Sequence, residues 1–324
     1  MSTAMPPPTL LAVPNVSEGR DRAVIAAIGA AFTGESKIGG EDGHVPAGGR
    51  TGARERAPGG VRLLDTHSDP DHHRAVFTLA GPPGALGDAL LRGARTAVER
   101  IDIGNERDQS EIGQHPHVGA IDVVPVVYLD ERARGAACAE ALVVADRIGA
   151  ELDVPVFLYG ALAGGRTRAE LRQGGVAGLA GRIAAGELRP DFGPPRPHPS
   201  AGATLVAARP PLVAFNLALA PGATVRDARR IAALIREGGE EGLPGLRAIG
   251  VQLGGAVGQV SMNVERPSEL PLARVVQAVR RHAEIASGEL VGLAPRAALE
   301  GFPEDVLLPG FDPACHVIEK ALGC

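Results

Sequence analysis

The residue of this sequence best suited to proton transfer is a histidine in a glycine-bordered loop. His115 lies in the segment Gly113–Asp122 (GQHPHVGAID), where Pro116 favours an extended backbone before it and the glycines allow main chain to approach a ligand closely. Imidazole ionises near neutral pH, so it can take up a proton and return it within one reaction. His115 is therefore a candidate general acid and base. Taken alone, a surface-loop histidine with no catalytic role is the interpretation that we favour.

A second candidate lies at a predicted strand-to-helix junction, in Val13–Asp21 (VPNVSEGRD). Unpaired N–H groups at the start of a helix favour anions, so a charged substrate could bind there. From this segment alone, however, we favour the interpretation that Asn15 or Ser17 simply caps the following helix.

Histidines and aspartates are concentrated in Asp65–Arg74 (DTHSDPDHHR). His67, His72 and His73 could bind a metal ion together with the aspartates, as in a metal-dependent hydrolase. No helical HxxxH spacing is present and no cysteine joins the group, so a polar hairpin loop is the interpretation that we favour, and we expect no metal.

Two segments could contact a flat heterocycle. In the predicted strand QVSMNV, alternation places three apolar side chains on one face and three polar ones on the other, respectively Val260, Met262 and Val264, and Gln259, Ser261 and Asn263. The polar face could hydrogen-bond the edges of a ring, or it could be an ordinary solvated face. The rigid Pro/Gly-rich segment Asp191–Arg209 could present backbone groups to a planar ligand, or it could be a linker.

The order of predicted strands and helices repeats in the two halves of the chain. The first half reads as strand Leu10–Pro14, helix Arg20–Phe32, strands Val61–His67 and Arg74–Ala80, helix Gly87–Ile101 and strand Ala120–Leu129, extended by helix Glu131–Ala150 and strand Val154–Tyr159. The second reads as strand Leu212–Leu219, a helix from Thr224 to Gly238 with Asp227 in a capping box, strands Leu246–Leu253 and Gly258–Val264, helix Leu272–Ala286 and strand Leu290–Leu293. This predicts an α+β fold of two ferredoxin-like (βαββαβ-type) subdomains with mixed or antiparallel sheets and a cleft between them.

We place the boundary between the subdomains near Ala208–Pro211, which gives residues 1–208 and 209–324. The segment at about 34–60 is dense in Gly, Arg and Pro and almost free of apolar residues. It cannot bury enough surface to become ordered, so we predict a disordered insertion there.

Composition excludes several classes of function. A net charge of −5, with 3% aromatic residues and no Trp, argues against a nucleic-acid partner. No apolar run reaches the about 18 residues that span a bilayer, and the Pro-rich start does not resemble a secretory signal. Three cysteines without metal-type spacing are typical of a reducing compartment. We therefore expect a cytoplasmic protein with no membrane partner.

Taken together, the motifs resemble the formiminotransferase domain of the formiminotransferase-cyclodeaminase family. The matching pieces occur in the family's order and cover nearly the whole chain apart from Gly34–Gly60 and the termini. They are VPNVSEGRD, the LLDxxxDPxxxR pattern of Leu63–Arg74, GQHPHVGAID, VPVFLYG at Val154–Gly160, DFGP at Asp191–Pro194, SAGATLVAAR, AFNLAL at Ala214–Leu219, QVSMNV and LVGLAP at Leu290–Pro295. Since the second α/β unit extends almost to the last residue, we expect no cyclodeaminase domain.

The resemblance implies transfer of a formimino group from N-formimino-L-glutamate to N5 of tetrahydrofolate, a co-substrate, in histidine catabolism and one-carbon metabolism. It also implies a homodimer. His115 would be the acid/base, and the folate-binding stretch would be Gly193, Pro194, Pro195, Arg196, Pro197, His198, Pro199, Ser200, Ala201 and Gly202. The residues expected to bind substrate or shape the site are Asn15, Ser17, Glu18, Asp65, Arg74, Asp122, Asn216, Gln259 and Asn263. Arg20, Arg74 and Arg209 are candidates for gripping substrate carboxylates.

Four positions depart from the family's pattern. Gln114 replaces a frequent Glu, His117 a common Arg, His67 a frequently acidic residue and Ala201 a common aromatic residue. Two alternatives therefore stay open beside the main interpretation. One is a related transferase that uses another donor, such as 5-formyltetrahydrofolate, and the other is a folate-binding protein without turnover.

Overall fold

The computed structural model describes residues 7–34, 60–104, 117–254 and 257–323. His115 and Gln114 lie outside the described residues, as does 35–59, which is most of the predicted insertion. The chain divides into two compact units, Met1–Pro210 (unit 1) and Pro211–Cys324 (unit 2).

Unit 1 contains one mixed sheet covered by helices. Its elements are β1 (Leu10–Ala12), β2 (Asn15–Val16), α1 (Arg22–Thr33), β3 (Arg62–Asp69), β4 (Arg74–Gly81), α2 (Ala85–Arg100), β5 (Ile121–Val127), α3 (Arg134–Leu152), β6 (Val156–Leu158), α4 (Arg168–Leu171), α5 (Gly175–Ala184) and β7 (Thr204–Arg209). β1 and β2 lie between β4 and β5 and pair antiparallel with both, while β3 pairs with the outer side of β4. This is the ferredoxin-like strand order, which β7 and β6 extend by parallel pairing on the far side of β5.

Unit 2 contains an antiparallel sheet. Its elements are β8 (Val213–Leu219), α6 (Val225–Ile235), β9 (Leu246–Gln252), β10 (Gly258–Val264), α7 (Leu272–Arg280), β11 (Ile285–Val291), α8 (Pro313–His316) and α9 (Ile318–Leu322). The strand order is β11-β8-β10-β9, again the ferredoxin-like arrangement. The predicted α+β fold, with one mixed and one antiparallel sheet, is confirmed.

The capping box predicted for α6 is also confirmed. The Thr224 side chain accepts a hydrogen bond from the Asp227 N–H, and the Asp227 carboxylate accepts one from the Thr224 N–H. The prediction for α1 was wrong in one respect, because neither Asn15 nor Ser17 caps it. Asp21 does so instead, accepting hydrogen bonds from the N–H groups of Ala23 and Val24.

Two further boundaries differ from those predicted. α7 ends at Arg280 rather than at residue 286, and β11 begins at Ile285 rather than at 290, because the Glu284 carbonyl accepts a hydrogen bond from the Ala220 N–H and so draws the chain into the sheet. The end of the Pro/Gly-rich segment, predicted as loop or linker, forms β7. Its residues Leu205–Arg209 pair with Val123–Val127 of β5.

The described residues include no helix with the length and apolarity needed to cross a bilayer.

The helical layer of unit 1 depends on a close approach between α1 and α2. Phe32 of α1 is fully buried, and its ring lies 5.1 Å from that of Phe77 on β4. Gly93 on α2 faces this ring, and a Cβ atom added there would lie 2.0 Å from Phe32 Cε1. Since the ring is enclosed on both sides, it cannot move aside without disturbing the core.

We expect Gly93→Ala to destabilise the protein by about 1–3 kcal/mol, because overpacking against Phe32 outweighs the better helix propensity of alanine. Gly181→Ala is the matched control. Gly181 also lies within a helix, α5, but has open space around it, so alanine should stabilise by about 0.5–1 kcal/mol. Urea unfolding of both variants measures the difference, and equal effects at the two sites would contradict the packing argument.

Candidate active site

A pocket in unit 1 brings together three of the segments that sequence analysis selected. It is lined by Asn15, Val16, Ser17, His72, His73, Arg74, His117, Asp122 and Arg172. These residues come from β2, from the turn between β3 and β4, from the chain entering β5, and from the end of α4. Asn15, Ser17, Arg74 and Asp122 were candidate site residues, whereas Arg172 was not recognised from the sequence.

The β2 segment is attached to the chain that enters β5. Ser17 is buried, its hydroxyl donates to the Gly119 carbonyl at 2.8 Å, and its N–H donates to the Ala120 carbonyl at 3.0 Å. The Asn15 side chain donates to the Val13 carbonyl at 2.9 Å. The two bonds from Ser17 hold the VPNVSEG motif beside the described part of the GQHPHVGAID motif.

The turn between β3 and β4 lies against the same segment. A Cβ atom on Gly19 would lie 2.2 Å from the Asp69 carbonyl oxygen and 2.5 Å from the Arg74 nitrogen, so this contact requires glycine. The Glu18 carboxylate accepts hydrogen bonds from the N–H groups of Arg20 and Asp21 at 2.7 and 2.9 Å. Glu18 therefore shapes the chain between β2 and α1.

His73 occupies the left-handed region, with φ 47°, a conformation that costs a non-glycine residue roughly 1 kcal/mol or more. Its Nδ1 accepts a hydrogen bond from the Gly19 N–H at 3.2 Å, and Glu18 Oε1 lies 3.6 Å away. Because Nδ1 accepts there, the neutral ring carries its proton on Nε2. On the other side of the turn, Asp69 accepts from the N–H groups of Asp71 and His72 and lies 3.5 Å from His72 Nε2.

Asp122 connects three parts of the pocket. It is buried in β5, and its Oδ1 accepts a hydrogen bond from the Val118 N–H at 2.8 Å. Its Oδ2 forms an ion pair with Arg172 Nη2. The carboxylate therefore fixes both the chain that follows His117 and the guanidinium of Arg172, the residue after α4.

The predicted folate-binding stretch Gly193–Gly202 ends in a tight loop. His198 and Gly202 exchange backbone hydrogen bonds at 2.8 and 3.0 Å. His198 Nδ1 accepts from the N–H groups of Ser200 and Ala201 at 3.3 and 3.0 Å. Arg196 at the rim forms an exposed ion pair with Asp153 at 2.6 Å. The loop is thus ordered by its own polar groups.

This loop holds both described flanks of the segment that contains His115. Before the segment, the Ile103 N–H donates to the Ser200 carbonyl at 2.9 Å. After it, the Ala120 N–H donates to the Ala201 carbonyl, and the Ala203 N–H to the Val118 carbonyl, each at 2.9 Å. His117, which lines the pocket, is two residues after His115 in the sequence.

The other candidate residues of unit 1 occupy different places. Asp65 is buried on β3 opposite Thr78, and among the described residues its Oδ2 has no hydrogen-bond partner. The three arginines considered for substrate carboxylates lie in different places. Arg20 donates from Nε to the Pro70 carbonyl at 3.1 Å and does not line the pocket. Arg209 ends β7 and donates to the Pro210 carbonyl at 3.0 Å. Of the three arginines considered for substrate carboxylates, only Arg74 lines the pocket.

The candidates of unit 2 lie on neighbouring strands. Val260, Met262 and Val264 pack in the core, as the alternation of β10 predicts. Asn216 and Gln259 are buried and Asn263 is half-buried. Asn216 Nδ2 donates to Glu289 Oε2 at 2.8 Å, and Asn216 is in register with both Ser261 and Glu289. Sequence analysis missed Glu289 because it began the last strand one residue later.

The histidines of the β3–β4 hairpin do not share one cluster with acidic residues. Within residues 7–34, 60–104, 117–254 and 257–323, no group of three His, Cys, Asp or Glu side chains has the arrangement of a metal site. His72 and His73 instead interact with Asp69 and Glu18 respectively.

Comparison with known proteins places the chain in a family. The family described as formiminotransferase domain, N-terminal subdomain, matches residues 9–209. Glutamate formimidoyltransferase of Streptococcus pyogenes serotype M1 is 33% identical over 320 residues, which cover 96% of this chain and 97% of the relative. The protein of the same name from Thermoplasma acidophilum is 30% identical over 96% of this chain and 96% of its own.

A longer relative is similar over one part only. Formimidoyltransferase-cyclodeaminase of Mus musculus is 34% identical over 305 residues, which are 89% of this chain and 50% of the relative. The chain thus spans half the length of that protein and nearly the full length of the other two. These matches, together with the fold, show that the chain belongs to the formiminotransferase family.

Proposed function

We propose that this protein is a glutamate formimidoyltransferase, which transfers the formimino group of N-formimino-L-glutamate to N5 of tetrahydrofolate. Relatives of that name match it over 96% of the chain and nearly their whole length. The observation that carries the proposal is the set of backbone hydrogen bonds by which Ser200–Ala203 holds Ile103 and Val118–Ala120. These bonds connect the end of the proposed folate-binding stretch to the residues before and after the segment that contains His115.

Tetrahydrofolate is the co-substrate in this proposal, and Gly193–Gly202 is the stretch that contacts it. A loop whose carbonyls and N–H groups are already fixed, as by His198, loses little conformational entropy when a ligand binds. No metal takes part in the proposed reaction.

His115 has two proton transfers to perform. N5 of tetrahydrofolate attacks the formimino carbon, and its N–H proton passes to the imidazole as the new C–N bond forms. When the bond between that carbon and the glutamate nitrogen breaks, the imidazolium returns the proton to the leaving amine. The products are 5-formiminotetrahydrofolate and glutamate, and the enzyme recovers its original protonation state. Holding both substrates in one site contributes to the rate beyond the proton transfers themselves.

We expect His115→Ala to lower kcat by roughly 10²–10⁴-fold, the usual contribution of a general acid/base, while the Kd for tetrahydrofolate stays within about twofold. Added imidazole should restore part of the lost rate. Formation of 5-formiminotetrahydrofolate, followed by absorbance, gives kcat, and calorimetry gives Kd. His282→Asn is the control. His282 pairs with Glu241 in unit 2, so this substitution should leave kcat unchanged.

Near wild-type turnover by His115→Ala would show that another group moves the proton. If wild-type protein bound tetrahydrofolate but formed no product from formiminoglutamate, the proposed reaction itself would be wrong. The same assay with 5-formyltetrahydrofolate as donor would then identify a different transferase.

A second prediction concerns the loop. Gly202 has φ +68°, and a Cβ atom there would lie 2.2 Å from the Val118 carbonyl oxygen. We expect Gly202→Ala to displace the loop and to weaken tetrahydrofolate binding by about tenfold or more, which corresponds to about 1.4 kcal/mol. The measurement is calorimetric Kd.

Gly222→Ala is the matched control for this variant. Gly222 also has a positive φ, +102°, but nothing lies within 4 Å of its added Cβ, so it carries the same kind of backbone penalty without the clash. If both variants bound tetrahydrofolate equally well, the contact between Gly202 and Val118 would have no part in folate binding.

A further inference from the structure

The pocket in unit 1 contains two guanidinium groups, those of Arg74 and Arg172. Asp122 is the single carboxylate among the residues that line it, and His72, His73 and His117 complete its ionisable side chains. Two fixed positive charges against one negative charge give the lining a net positive charge, even with neutral imidazoles. Such a lining favours an anionic ligand, and guanidinium groups are well suited to carboxylates.

Arg172 lies in a short segment whose backbone is fixed on both sides of this residue. Before it, Thr167 and Glu170 form a capping box at the start of α4. Arg182 of α5 donates hydrogen bonds to the carbonyls of Leu171 and Gln173, the residues on either side of Arg172, at 2.6 and 3.2 Å. Leu171 itself is buried in an apolar cluster. The backbone on either side of Arg172 is therefore held in place, so the guanidinium is positioned before any ligand arrives.

The hydrogen-bonding capacity of Arg172 exceeds what the protein uses. A guanidinium has five N–H donors, and the ion pair with Asp122 uses Nη2. Nε is buried, and among the described residues it has no hydrogen-bond partner. Asp122 is itself shared with the Val118 N–H at 2.8 Å, so it is anchored from two sides and orients the guanidinium. A planar guanidinium held this way suits a second carboxylate, which it can grip with parallel hydrogen bonds.

We propose that Arg172 binds a carboxylate of the dicarboxylic amino-acid substrate and thereby selects a glutamate derivative as formimino donor. This inference rests on the proposed function, since it concerns the donor of that reaction. Arg74 carries the other guanidinium among the residues that line the pocket. Arg172 is thus a specificity-determining residue, and its contact is with the donor rather than with the folate.

The test compares Arg172→Gln and Arg172→Lys with wild type in steady-state kinetics. Arg172→Gln should raise KM for formiminoglutamate by about ten- to hundredfold, the usual effect of losing charge-assisted hydrogen bonds. KM for tetrahydrofolate should stay within about twofold. Arg172→Lys should recover only a small part of the loss, because an ammonium cannot form the planar paired contact. Arg168→Gln should behave as wild type, because Arg168 is the first residue of α4, lies 5.7 Å above the Tyr159 ring and does not line the pocket.

A binding measurement separates this inference from the proposed function. L-glutamate, the expected product, is titrated by calorimetry into wild type and Arg172→Gln, each first shown to be folded by its thermal unfolding curve. If glutamate binds wild type and loses about tenfold or more affinity in the variant, the inference holds even where no turnover is found, and only the proposed reaction fails.

The opposite pattern would overturn the inference while leaving the proposed function intact. Normal turnover by wild type, combined with an unchanged glutamate Kd and an unchanged KM for formiminoglutamate in Arg172→Gln, would show that Arg172 does not contact the donor. A fall in kcat alone, reproduced by Asp122→Asn, would likewise count against it, since Arg172 would then act by positioning Asp122.

Discussion

The candidate site depends on a close backbone contact between two loops. A Cβ atom on Gly119 would lie 1.8 Å from the Ala203 carbonyl oxygen, and one on Gly202 would lie 2.2 Å from the Val118 carbonyl oxygen. Only glycine at both positions allows the Ala203 N–H to reach Val118 and the Ala120 N–H to reach Ala201. Since Ser17 also bonds to Gly119 and Asp122 to Val118, the β2 segment and Arg172 are both positioned through this contact.

The sequence predicts those parts of the fold that depend on local patterns. The alternation of Gln259–Val264 places its apolar side chains in the core, and the spacing of Thr224 and Asp227 predicts the capping box of α6. The end of α7 was misplaced because its cause is not local. The hydrogen bond between the Glu284 carbonyl and the Ala220 N–H joins residues 64 positions apart, and no helical period in the sequence reports it.

The same distinction applies to the site. Asn15, Ser17 and Arg74 could be selected because they lie in motifs with unusual composition. Arg172 could not be selected in this way. It follows α4, which has only four residues and is too short to show an apolar period. Its position in the pocket depends on the ion pair with Asp122, which is 50 positions away in the sequence. The left-handed backbone of His73 was equally inaccessible, since the Gly19 hydrogen bond that accompanies it belongs to another motif.

Glycine gives a partial indication of where such distant contacts occur. Gly19, Gly119 and Gly202 each belong to a different motif, and each lies where a carbonyl from a second motif comes within about 2.2 Å of the missing Cβ. The sequence marks the glycine but not its partner, so it predicts that backbone approaches closely without saying which backbone. The structural role of each motif therefore depends on the other motif that it contacts. The effect of a departure such as His117 or Ala201 depends on what its side chain faces, which is the pocket for His117 and the buried apolar cluster of unit 1 for Ala201.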